Sequence, residues 1–90
     1  MAERVRVDSV DELENYCGRL ANQKSEIESL AESLLSDCAA QNSNWQDPQY
    51  DGLKGNIEEF VSAVKATTEN LEESIAYIRH LVNHLREIGA

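Results

Sequence analysis

Ser43-Asn44-Trp45-Gln46-Asp47-Pro48-Gln49-Tyr50-Asp51, SNWQDPQYD, holds the chain's only tryptophan and only proline within its most polar segment. Asp47 followed by Pro48 is a helix start. An aspartate side chain accepts free amide hydrogens of a first turn, and proline at the first helical position gives up only a hydrogen that has no partner there. The few residues near 42–47 then separate two helical patterns, too short a connection for anything but an antiparallel reversal. What remains to be explained is why the largest apolar side chain sits in that reversal.

Downstream of Asp47 the apolar positions run Tyr50, Leu53, Ile57, Phe60, Val64, Thr67, Leu71, Ser74, Ile78, Leu81, Leu85, Ile88, stepping alternately by three and four, with only Thr67 and Ser74 polar. A second stripe, Val61, Thr68, Ile75, Val82, lies beside it. This is a helix pattern. It predicts a helix from about 48 to about 88, ~60 Å long at 1.5 Å per residue. Arg79, His80, His84 and Arg86 gather near its end, where positive charge suits the helix dipole. Gly52 and Gly55 fall in its first turns, either leaving room for a close neighbour or merely loosening the start.

Upstream, Val10, Leu13, Cys17, Leu20, Lys24, Ile27, Ala31, Leu34 and Cys38 keep the same heptad step, and Leu30 and Leu35 widen the stripe. The first helix is predicted from about 9 to about 41, with Asp8 as its N-cap and Asp11, Glu12 and Glu14 complementing the dipole. Lys24 is the polar residue within this stripe; it either sets register or partner choice or reaches out to solvent.

The sequence therefore predicts an all-α fold, one helical-hairpin domain spanning residues 1–90. A chain of 90 residues has a marginal core of its own. Two helices with wide apolar faces cannot each hide the whole face of the other, and pairing with a second hairpin into a four-helix bundle resolves this. The pairing face is assigned to Leu13, Leu20, Ile27 and Leu34 on the first helix and to Ile57, Phe60, Val64, Leu71, Ile78 and Leu85 on the second. The partner is another helical hairpin, in a homodimer or a heterodimer.

Charge narrows the partners. Acidic residues outnumber basic ones 17 to 8, for a formal net charge of -9, and both halves are negative. Nucleic acid and anionic membrane surfaces would be repelled. A homodimer would double the charge, which leans toward a less acidic partner. No run approaches the ~18 apolar residues of a membrane span, and MAERVRVDSVDEL lacks the apolar core of a signal peptide, so cytoplasmic synthesis is expected. Cys17 and Cys38, about 31 Å apart along one helix, cannot bridge within it and read as small buried hydrophobes, with an intermolecular bridge as the alternative.

Catalytic and metal chemistry find little footing. His80 and His84 share a helix face and Glu87 follows, but two histidines at a helix C-terminus also suit the dipole, no Glu-x-x-His pair occurs, and the inward stripes are apolar. Neither cysteine has a pocket or oxyanion donor in prospect, and no glycine-rich phosphate loop follows a strand. The reading is a protein with no catalytic residue, no metal and no cofactor.

A hairpin of this length with tryptophan in the turn resembles the WXG family, the small proteins exported by type VII (ESX) secretion systems of Gram-positive bacteria and mycobacteria. The family's Trp-x-Gly falls on Trp45-Gln46-Asp47, with aspartate in the glycine position. The family's second export element, Tyr-x-x-x-Asp/Glu, has no match: Tyr77 is followed four later by Leu81, Tyr50 by Lys54, and the chain ends at Gly89-Ala90. The resemblance implies a substrate, a co-exported partner or a targeting adaptor for a larger effector, and the tailless member of a pair. Trp45, Asp47 and Pro48 become the docking motif it implies, with a secretion ATPase or the partner as receptor and secretion as the destination. The alternative is a cytoplasmic coiled-coil adaptor or structural subunit unrelated to export, in which Trp45 is only a lid folded among Leu34, Cys38 and Leu53.

Overall fold

A computed structural model describes residues 5–89, which form two long antiparallel helices and no strand. Helix α1 spans Val10–Ala40, a 3-10 turn Gln41–Ser43, and helix α2 Pro48–Gly89. The chain is all-α, a rod-like hairpin of 63 × 28 × 15 Å.

Helix α1 starts where Ser9, in extended backbone (φ -132°, ψ 111°), accepts the Glu12 amide hydrogen on its Oγ at 3.1 Å. This corrects the assignment of the cap to Asp8. Ser9 stands three residues before Glu12, the spacing of a capping box, and Asp8 instead pairs with Arg6 at 3.0 Å. At the other end, the amides of Asn44 and Trp45 both donate to the Gln41 carbonyl, at 2.9 and 2.8 Å. Asp47 then caps α2: its Oδ1 accepts the Gln49 amide at 2.8 Å and its carbonyl accepts that of Tyr50 at 2.9 Å. Among the described residues no backbone φ is positive, so the reversal needs no glycine.

The seam between the helices is narrow and built at heptad spacing. Cys17, Ala31 and Cys38 face Tyr50, Thr68, Ile75 and Val82, each with at most 8% of its surface exposed. The small residues on α1 let the helices approach, and burying Ile75 and Val82 contributes about 1.5–3 kcal/mol each. The Thr68 hydroxyl donates to the Lys65 carbonyl at 3.0 Å, so the one buried polar side chain among the described residues is satisfied within its own helix.

One edge of the seam is ionic. Lys24 Nζ reaches Glu72 across the hairpin at 2.8 Å and Glu28 on its own helix at 3.2 Å. Arg86 donates to Asp11 at 2.8 Å and Glu14 at 2.7 Å. Solvent-shared pairs of this kind add little stability individually, but both join the helices at the same antiparallel register. Lys24 thus acts as an interhelical tie. The Glu72 and Glu28 carboxylates hold its ammonium above the usual lysine range, and Lys24 in turn draws Glu72 below the usual carboxylate range.

Candidate interaction surface

The stripe richest in large side chains flanks the seam, and the sister helix covers it only in part. Turning each residue 100° about its axis places Leu13, Leu20, Ile27 and Leu34 on the same broad side of the hairpin as Ile57, Phe60, Val64, Leu71, Ile78 and Leu85. None of these ten belongs to the buried core. Phe60 is 54% exposed and Ile27 and Leu34 43% each, and the other seven are half-buried. Leu30 extends the surface along α1 at 66% exposure.

Near mid-length a groove lined by Ile27, Phe60, Ala63, Val64, Thr67 and Leu71 crosses this side. Its lining is almost wholly apolar, because the Thr67 hydroxyl donates back to the Ala63 carbonyl at 2.9 Å and offers no proton to the groove. The arrangement can accept apolar knobs from a helix laid between α1 and α2.

At the turn, the aromatic that closes the end of the hairpin is Tyr50. It is 3% exposed, and its hydroxyl donates to the Cys38 carbonyl at 2.8 Å, a second donor to an acceptor in the last turn of α1 that also takes the Gln41 amide. Burial pushes that hydroxyl above the usual tyrosine range. Trp45 packs on Tyr50, ring centroids 5.4 Å apart and planes tilted by 52°, and keeps 37% of its surface exposed. Tyr50 thus closes the end of the hairpin, and the lid expected of Trp45 is an indole packed on that tyrosine and still partly open. Asp47 and Pro48 carry their weight in the backbone, as the cap and first residue of α2.

The remaining candidates lie apart. His80, His84 and Glu87 share a shallow depression with Asn83 and Arg86 near the end of α2, and among the described residues no three metal-ligating side chains cluster. Cys17 and Cys38 are free and buried, with Cys17 Sγ 3.8 Å from the Ile75 carbonyl oxygen. No described helix is long and apolar enough to cross a membrane.

The residues that sequence reasoning missed are those of the seam itself. Tyr50, Thr68, Ile75 and Val82 were visible only as part of two neighbouring stripes. The signal that separates them is the charge pairing of Lys24 with Glu72 and of Arg86 with Asp11 and Glu14, which fixes register and rotation together. No family model, no curated protein and no solved structure matches this chain.

Proposed function

We propose that this chain is a non-enzymatic partner protein of a type VII secretion system, one that pairs through its open apolar side with a second helical hairpin and presents Trp45 at the turn. The observation that carries the pairing is that ten large or medium apolar positions occupy one side of the hairpin while none belongs to its core. A surface of this kind marks an interaction site in a soluble protein. Pairing two such sides yields a four-helix bundle, whose hydrophobic core the single hairpin lacks.

The export part of the reading rests on the resemblance of the Trp45 turn to the WXG family. Two features support it. Aspartate in the family's glycine position is compatible with the turn, because no described residue there requires positive φ. The indole keeps an exposed edge beside Tyr50, and a tryptophan so placed is a preferred anchor for a receptor such as a secretion ATPase. The competing reading, a coiled-coil adaptor unrelated to export, draws on the same packing of Trp45 against Tyr50, since an indole nearly two-thirds covered also serves as a plain end-piece.

The test is a tagged chain expressed beside an active type VII system, with wild type, Trp45→Ala and Phe60→Asn compared. The reading expects the wild type in the culture supernatant or in complex with a secreted partner. Trp45→Ala should stay folded and paired but fail to leave the cell, and Phe60→Asn should fail to pair. Normal export of a folded Trp45→Ala variant would sink the docking role and favour the adaptor.

A further inference from the structure

Exposed apolar surface and unpaired charge are not spread evenly along the rod. Residues 26–65, the turn-proximal half, contain 8 acidic and 2 basic side chains, a net of -6, whereas residues 5–25 and 66–89 contain 8 and 5, a net of -3. The interhelical ion pairs, Lys24 with Glu72 and Arg86 with Asp11 and Glu14, lie in the second group. In the turn-proximal half only Glu28 joins an ion pair among the described residues.

The same half carries the exposed apolar side chains Ile27, Leu30, Leu34, Leu53 and Phe60, and the turn that follows α1 carries Trp45, each at least 37% exposed. Helical spacing places carboxylates along its margins. Glu26 stands one turn before Leu30, Asp37 three residues after Leu34, and Glu59 immediately before Phe60, and all three are exposed.

An apolar floor with acidic margins selects its occupant. A second copy of this chain would bring the same patch and the same margins, setting -6 against -6 where the apolar surfaces meet. A helix whose apolar stripe is flanked by lysine or arginine would bury the same floor and pair the free carboxylates. The patch is long enough for this: half of the 63 Å rod accommodates roughly 20 helical residues at 1.5 Å each.

We infer that the turn-proximal half of the open side is a docking groove for a basic-flanked amphipathic helix of a different protein, and that this chain is the acidic member of a heteromeric pair. The inference rests on the pairing proposed above and specifies the partner's chemistry. It also gives Trp45 a second use, as a contact at the end of the groove.

The experiment uses the full chain and three synthetic helices of about 20 residues: one with a leucine stripe flanked by lysine, its twin flanked by glutamate, and a lysine peptide of the first composition scrambled so that no apolar face forms. Binding is read from Trp45 fluorescence and calorimetry, and the mass of the chain alone is measured in solution. The expected result is saturable binding of the lysine-flanked helix with a blue shift of Trp45. Affinity should fall about tenfold or more in Phe60→Asn and on raising salt from roughly 30 to roughly 300 mM. Reversing the margins with Glu26→Lys, Asp37→Lys and Glu59→Lys together should transfer preference to the glutamate-flanked twin.

Equal binding of the scrambled peptide, or of the glutamate twin to the wild type, overturns the inference. So does a chain that alone forms a salt-insensitive dimer dispersed by Phe60→Asn, a result that nonetheless leaves pairing through the open side intact. A chain that stays monomeric and binds neither ordered helix overturns both the inference and the pairing on which it rests.

Discussion

Replacing Thr68 by valine should stabilise the hairpin. Thr68 is 3% exposed at the centre of the seam, and its hydroxyl donates to the Lys65 carbonyl at 3.0 Å. That carbonyl lies within the continuous helix α2 and already has a backbone partner one turn on, so removing the hydroxyl orphans nothing. The loss is a local hydrogen bond, about 0.5–1.5 kcal/mol net at most and less for a second bond to an already occupied acceptor. The gain is a buried methyl in place of a desolvated hydroxyl: about 0.8 kcal/mol for the carbon, plus roughly 1 kcal/mol or more for the polar group no longer removed from water. Valine and threonine have similar helix propensities, so the backbone does not shift the balance. The sum favours valine by about 1 kcal/mol, which corresponds to roughly 4–8 °C in Tm for a domain of this size. Thr68→Ser, which keeps the hydroxyl and deletes the methyl, should cost about 1 kcal/mol for the lost burial. Thermal and urea unfolding of the three proteins, followed by circular dichroism at a concentration where association state is known, decides the matter. A valine variant less stable than wild type by about 1 kcal/mol or more would refute the reasoning, because it would mean that the hydroxyl serves a partner outside α2.

Four further outcomes follow from the same structure. Ser9→Ala should cost about 1 kcal/mol through loss of the α1 cap, while Asp8→Ala, which loses only a highly exposed pair with Arg6, should unfold at nearly the wild-type urea midpoint. Tyr50→Phe should cost at most about 1 kcal/mol, because the Cys38 carbonyl keeps the Gln41 amide when the hydroxyl goes, and Tyr50→Ala several times more, measured by the same unfolding curves. Glu72 has its pKa lowered from 4.5 by Lys24, so its contribution is present above that value and lost as pH falls below it; Lys24→Met should flatten this acid limb of the wild-type stability profile. On the alkaline side Lys24, raised from 10.5, loses its contribution as pH climbs past that value, and Tyr50, raised from 10.0, begins to lose its own as pH passes 10.0, so Lys24→Met and Tyr50→Phe should each reduce the alkaline loss.

Most of the architecture was legible in the sequence because it rests on local rules. The Asp47-Pro48 start depends only on a carboxylate beside free amides and on a ring that needs no hydrogen, and α2 begins at Pro48. Two sustained three-four patterns either side of a short polar connection leave no fold but an antiparallel hairpin. What local rules could not give was rotation. In α2 the stripe through Phe60 and the stripe through Thr68 sit side by side, and hydrophobicity ranks them by how strongly they avoid water, not by which neighbour covers them. The sister helix covers the slimmer stripe most fully because α1 offers it Cys17, Ala31 and Cys38, small side chains that allow close approach, and because the three interhelical ion pairs need that rotation to form. The cap shows the same limit on a smaller scale. Asp8 and Ser9 are both good cap residues, and the choice between them is made by the Ser9-to-Glu12 spacing and by the claim of Arg6 on Asp8.

That rotation bears directly on function. Had the heavy stripe turned inward, the hairpin would have spent its large side chains on its own core and shown water a thin polar face. Turned outward, it leaves Phe60, Ile27 and Leu34 exposed above a seam of modest size, and the pairing proposed above would stabilise the hairpin by covering them. Mutations should separate along this line. Seam changes such as Ile75→Ala remove a side chain that is 2% exposed and should lower the unfolding midpoint of the isolated chain. Open-side changes such as Phe60→Asn should leave the isolated chain's midpoint nearly where it was and abolish the gain in midpoint that a partner confers. If Phe60→Asn instead lowers the isolated chain's midpoint as far as Ile75→Ala does, the heavy stripe is core after all, and the open side is not where a partner binds.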